Sequence, residues 1–116
     1  MDRNIVICGF DINESEGHAM IYINYARNNN MKVSFAQHSN KSYHVRLGKI
    51  KSKYILKGDA DLIIASDVYE VVRNIDYLKS DGRLRITERY KMIDERHMQY
   101  SKKKCYDYLR SLGLLN

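Results

Sequence analysis

"GDADLIIASD", residues Gly58–Asp67, is the clearest structural signal in this chain. A Gly-Asp turn leads into Leu62, Ile63, Ile64 and Ala65, four apolar residues with no polar alternation. That is the pattern of a strand buried on both faces, as in a parallel sheet covered by helices. Asp67 stands at its carboxyl end. "VYEVVRNIDYL" (Val68–Leu78) follows, with Val68, Val71, Val72 and Ile75 recurring at helical spacing. "SDG" (Ser80–Gly82) predicts a tight turn, and "RLRIT" a strand with Leu84 and Ile86 on one face.

Upstream, "NIVIC" (Asn4–Cys8) is a second continuous apolar run, ended by Gly9. A polar loop leads to "GHAMIYINYARNNN", where Ala19, Met20, Ile23 and Ala26 recur at helical spacing and Asn28–Asn30 mark an end. "MKVSFA" alternates Met31, Val33 and Phe35. "SYHVRLG" alternates Tyr43, Val45 and Leu47, and "KIKSKYIL" predicts a strand pairing back on it as a hairpin, with Lys49, Lys51 and Lys53 to solvent. From about Asp94 the tail predicts a helix, with Met98, Cys105, Leu109 and Leu112 on one stripe and Gly113 as its cap. The order β-α-β-β-β-β-α-β-α predicts a single α/β domain over 1–116. Its expected architecture is three-layer and Rossmann-like: a largely parallel sheet with an antiparallel hairpin, and helices on its faces. Ligands on such sheets bind beyond the carboxyl ends of the strands. Here those ends are the loop after Gly9 and the Ser66–Asp67 corner.

The 116 residues suffice for one core, and no apolar run approaches the roughly 20 residues of a membrane span. Cys8 and Cys105 fit no disulfide framework or metal spacing. With no cleavage-site pattern after the short N-terminal apolar run, the expectation is a cytoplasmic protein with free thiols. The net charge of +6 is uneven: −1 over 1–40, +2 over 41–82 and +5 over 83–116. The basic stretches 41–57 and 83–110 suit an acidic protein partner or nucleic acid. The neighbouring aromatics form no RNA-binding motif, which makes nucleic acid the weaker expectation.

Three chemistries can be weighed. A phosphate loop needs glycines, so that backbone N–H groups can approach the anion. After Gly9 the next glycine is Gly17, and Asp11, Glu14 and Glu16 would repel a diphosphate. Helix capping by Asn13, Glu14 or Ser15 is the stronger reading. Asp11, Glu14, Glu16 and His18 could ligate a divalent ion, but their spacing matches no EF-hand or zinc pattern, so a capping loop again reads better. Cys8 and Cys105 read as core thiols, and His38, His44 and His97 have no serine or acid at a triad's spacing.

The motif order "NIVICGF", "HVRLG" (His44–Gly48) and "GDADLIIASDVYEVVRNIDYLKSDGRLRIT" resembles the gamma subunit, or gamma domain, of the 2-oxoacid:ferredoxin oxidoreductases, the pyruvate and indolepyruvate enzymes among them. Gly58, Ala60, Asp61, Asp67, Glu70, Tyr77, Leu78, Lys79 and Gly82 fall at that family's positions. The resemblance spans residues 3–87 and is most specific over 42–87, leaving 88–116 as a basic helical tail. The family's GxGGxG loop falls on Gly9–Glu14, where only Gly9 remains. Its Q-R-G-G segment has no room in Ala36–Ser42, and Val68 stands where the family has proline. The resemblance implies an accessory subunit with no catalytic residue, cofactor or metal of its own. Thiamine diphosphate, coenzyme A and iron–sulfur clusters would belong to the complex and its other subunits. The ligand- or partner-facing residues it implies are Gly9, Phe10, Asp11, Ile12, Asn13, Glu14, Ser15, His38, Ser39, Asn40, Ser66 and Asp67. A homodimer is compatible with it. Two other classes stand beside it: a regulatory or binding module reusing the fold, and a small-molecule binder without catalysis.

Overall fold

The computed structural model describes residues 2–87 and 99–115, with the side chains of Gln99 and Tyr100 left aside. The elements run β1 (Arg3–Cys8), α1 (Ile12–Asn28), β2 (Val33–Ser39), β3 (Ser42–Leu47), β4 (Ala60–Ala65), α2 (Val68–Asn74), a 3-10 turn (Ile75–Tyr77), β5 (Leu78–Ile86), β6 (Gln99–Ser101) and α3 (Lys102–Ser111). The strands form a six-stranded sheet in the order β2-β3-β1-β4-β5-β6.

The two continuous apolar runs occupy its centre. β1 and β4 pair in parallel, Ile5 with Leu62 through Cys8 with Ala65, and β4 pairs in parallel with β5. Each run has side chains buried on both faces. Val6, Cys8, Ile63 and Ala65 join Val71 and Ile75 of the α2 region and Cys105 and Leu109 of α3 in one apolar cluster. Ile5, Ile7, Leu62 and Ile64 join Ala19 and Ala26 of α1, with Tyr43, Val45 and Leu47, in the other. A strand with helices on both sides cannot alternate, which is why these runs read as they do.

The sheet is mixed rather than largely parallel. β1 pairs antiparallel with β3, β3 with β2, and β5 with β6. Between β2 and β3 only Asn40 and Lys41 intervene, and so short a link forces the chain to reverse; a parallel return needs a crossover of a dozen residues or more. The hairpin is therefore formed by residues 33–47, and the expected strand over Lys49–Leu56 is absent. That segment is a loop with Gly48 and Gly58 at φ +96° and +80°. Arg46 holds it, donating from Nη1 to the carbonyls of Ser52 (3.0 Å) and Tyr54 (3.3 Å).

Three further expectations shift. Ser80–Gly82 is no turn but a bulge inside β5: Ala60 faces Leu78 while Leu62 faces Arg83. Gly82 is needed there, because a Cβ would come within 2.5 Å of Leu78 Cδ1 and 3.0 Å of the Ala60 carbonyl. In the tail, residues 99–101 are a strand and the helix begins at Lys102; Met98 and His97 lie outside the described residues. Cys105 and Leu109 are buried as the stripe predicts, but Leu112 is exposed. Gly113 (φ +73°) does cap α3: its N–H reaches the Arg110 carbonyl, and the Leu114 N–H reaches that of Leu109. Among the described residues no helix is long and apolar enough to cross a membrane.

Candidate functional site: the rim after β1 and β4

The parallel register puts Cys8 beside Ala65, so Gly9 and Ser66 leave the sheet side by side. The Ser66 N–H donates to the Cys8 carbonyl at 3.1 Å. A Cβ on Gly9 would overlap Ser66 Oγ outright and lie 3.0 Å from Glu70 Cγ. Gly9 also holds φ +88°, a conformation that side chains disfavour. Both backbone and space therefore demand glycine.

The β2–β3 hairpin completes this rim. The Gly9 N–H donates to the Lys41 carbonyl at 2.7 Å. In a phosphate loop an N–H at this junction would face the ligand; here the β2–β3 hairpin takes it. α1 begins three residues later, closer to the strand than the sequence predicts. Ile12, Asn13, Glu14 and Ser15 thus lie in the helix, not in a loop. The N-cap is Asp11, not Asn13, Glu14 or Ser15, and its Oδ1 accepts from the Glu14 N–H at 2.8 Å. Asp67 does the same for α2, accepting from the Glu70 N–H at 2.9 Å. Asp11 and Asp67, which read as ligand-facing, are thus spent on helix starts. The junction does not fit a diphosphate: its glycine N–H is bonded to backbone, and a carboxylate occupies the helix start.

The expected site residues divide accordingly. Gly9, Ser66 and Asp67 meet at the rim. His38, Ser39 and Asn40 flank a cleft of about 350 Å³ between the hairpin and α2. Phe10 is buried in the α1-side cluster and touches the His18 ring (centroids 4.5 Å), and Ser15 is fully buried, so neither faces a ligand. Ile12 is exposed on α1. Among the described residues no group of three or more His, Cys, Asp or Glu could hold a metal.

None of the residues on the other wall of the cleft is among those the sequence marks as ligand-facing. Glu70, Arg73, Asn74 and Tyr77 line it. Their spacing of i, i+3, i+4 and i+7 was visible, and it marks one face of a helix. They bond among themselves: Arg73 Nη1 donates to Glu70 Oε1 at 2.6 Å, and Asn74 Nδ2 to the Glu70 carbonyl at 2.8 Å. Tyr77 Oη lies 3.4 Å from His38 Nε2.

Beside the cleft, the His38 and His44 rings stack at 4.3 Å, with Tyr54 and Tyr77 edge-on to both. His44 is fully buried, and its Nδ1 accepts from the Ile55 N–H at 2.9 Å. That bond puts the proton of the neutral ring on Nε2, which has no partner among the described residues. Burial, then the nearby His38 and Arg46, push the imidazole down to about 4, so it is neutral at pH 7. His44 and Arg46 of the "HVRLG" stretch are thus clasps on the 49–57 loop.

Neither cysteine is exposed. Cys8 is fully buried, and desolvation, aided by Glu70 and Asp67, pushes its thiol far above the ordinary range; burial raises Cys105 to about 11. No protein-family model matches the chain, and no curated protein matches it significantly.

Proposed function

We propose that this chain is a non-catalytic, gamma-like accessory subunit of a 2-oxoacid:ferredoxin oxidoreductase, or a stand-alone paralogue of one. Its docking face would be the rim of Gly9, the 38–42 hairpin and the Ser66–Asp67 corner. The motif order over residues 3–87 carries the family assignment. The three-layer Rossmann-like arrangement belongs to the same reading.

The observation that carries the non-catalytic part is the Gly9 N–H bond to the Lys41 carbonyl. It fills with the chain's own backbone the place where a phosphate loop meets its anion. The two cysteines are both buried, whereas an iron–sulfur cluster needs four ligands. On this reading, thiamine diphosphate, coenzyme A and the clusters sit on other chains, where the 2-oxoacid is oxidatively decarboxylated. This chain contributes a shaped surface. The test is capture of the tagged chain from native extract. A thiamine-diphosphate-dependent oxidoreductase should be recovered, and Lys41→Glu, exposed at the hairpin tip, should weaken recovery. Recovery of no thiamine-dependent partner overturns the subunit reading.

One observation favours the alternative, a binding module for an acidic protein or nucleic acid. Lys49, Lys51, Lys53 and Lys57 are all exposed along the 49–57 loop. Binding through them should weaken steeply as salt rises. A mobility-shift series with DNA and RNA that shows no salt-sensitive complex removes the nucleic-acid branch.

A further inference from the structure

The sheet has two edges, built differently. β6 is three residues long and runs directly into Lys102, Lys103 and Lys104. A short edge strand with lysines beside it is protected against pairing with another chain. β2 is seven residues long, VSFAQHS, with neither a Lys, Arg, Asp or Glu nor a proline. β3 is its one strand neighbour among the described residues. The Gly48 N–H donates to the Lys32 carbonyl at 2.9 Å. With the β2–β3 register this turns the backbone groups of Ser34 and Ala36 towards β3. Strand alternation then points the N–H and C=O of Val33, Phe35 and Gln37 outwards. A bulge between Gln37 and Ser39 ends the regular stretch.

The geometry points to pairing of β2 with β2 of a second copy, antiparallel about a two-fold axis at Phe35, so that one sheet runs through both chains. In this register every outward residue meets an outward residue: Val33 faces Gln37 of the second copy, and Phe35 faces Phe35. Each such pair exchanges two backbone hydrogen bonds. That self-complementarity is what a two-fold interface requires, and it singles out a second copy over an arbitrary extended peptide. Charge agrees. The chain carries +6, so two copies bear like net charge. Along this edge Lys32 faces His38 of the second copy, and no Lys or Arg faces another. Phe35 already stacks on Tyr43 (centroids 5.4 Å), and pairing extends that row across the axis. An edge-only interface falls below about 1,200 Å², so the dimer is weak and concentration-dependent. This goes beyond the accessory-subunit reading and does not depend on it.

Sedimentation velocity on the full chain, from about 1 µM to about 1 mM, tests the inference. The sedimentation coefficient should climb towards that of a dimer. Gln37→Pro removes one outward N–H and leaves the bonds to β3 intact, and proline is tolerated on such edges. It should weaken self-association about tenfold or more. Gln37→Lys, which puts a charge on the same exposed position, should do likewise and serves if the proline variant does not fold. A chain that stays monomeric throughout overturns the inference, whether or not an extended peptide binds the edge. So does a dimer that neither variant moves.

Discussion

Replacing Gly9 with alanine tests the juxtaposition on which the rim is built. Two penalties add. The residue sits at φ +88°, and placing an L side chain in a left-handed conformation costs about 1–2 kcal/mol. The new Cβ overlaps Ser66 Oγ and lies 3.1 Å from Ser66 Cβ and 3.0 Å from Glu70 Cγ. Glu70 is buried and bonded to Arg73, so it gives way poorly, and overpacking of this kind costs about 1–3 kcal/mol. Gly9→Ala should therefore lose roughly 2–5 kcal/mol in urea unfolding followed by circular dichroism. The second penalty has a named partner and can be separated from the first. Ser66→Gly removes the overlapping atoms, so a double-mutant cycle should return a favourable coupling of about 1 kcal/mol or more, with the backbone penalty remaining. A Gly9→Ala variant within about 0.5 kcal/mol of wild type, or a cycle with no coupling, would refute the side-by-side placement of the two strand ends.

Other substitutions probe the elements around the rim. The His44 pKa falls from 6.5 unfolded to about 4 folded, so the unfolded chain binds more protons between those values. Stability is then full above about pH 6.5 and is lost as pH falls towards 4, by about 3 kcal/mol. His44→Phe should flatten that difference in pH-dependent melts and, by orphaning the Ile55 N–H, cost about 1–3 kcal/mol at pH 7. A variant with the wild-type acid profile contradicts the burial of this ring. Both thiols should resist a disulfide reagent at pH 8 in the native protein and react promptly in denaturant; native labelling of either refutes its place in the core. Asp61 accepts from the Asn4 N–H (2.8 Å) as well as from Lys79 Nζ (2.9 Å). Asp61→Ala should thus cost about 1–3 kcal/mol, against less than about 1 kcal/mol for Lys79→Ala; equal losses would show that the surface ion pair alone matters.

Much of this fold was legible because burial on two sides leaves an unmistakable pattern. Residues 5–8 and 62–65 are uninterrupted apolar runs, and they are the adjacent parallel strands at the centre. The helical stripe at Val71 and Ile75 and the cap at Gly113 were legible for similar reasons. The sequence predicts the wrong hairpin partner because Lys49, Lys51 and Lys53 alternate with period two, as an edge strand would. What keeps that segment out of the sheet is tertiary: Arg46 takes the Ser52 and Tyr54 carbonyls, and His44 takes the Ile55 N–H. The start of α1 was placed late because Ile12–Glu16 lacks an apolar stripe; Ser15, a polar residue, supplies the buried position in that turn. At the site, the apolar stripe of α2 is the stronger signal, and its opposite face, which carries Glu70, Arg73, Asn74 and Tyr77, has no pattern of its own that marks a cleft. The consumption of the Gly9 N–H by Lys41 was not legible, since it depends on a hairpin tip reaching across from residues far along the chain.

Amide hydrogen exchange at Gly9 reports on that bond itself. The Gly9 amide should be protected to the level of the neighbouring β1 amides, with resonance and exchange rate unchanged by millimolar pyrophosphate or thiamine diphosphate. A Gly9 amide that exchanges like an open loop, and that shifts and slows when either anion is added, would show the junction to be a working phosphate site, with the Lys41 carbonyl no partner of Gly9.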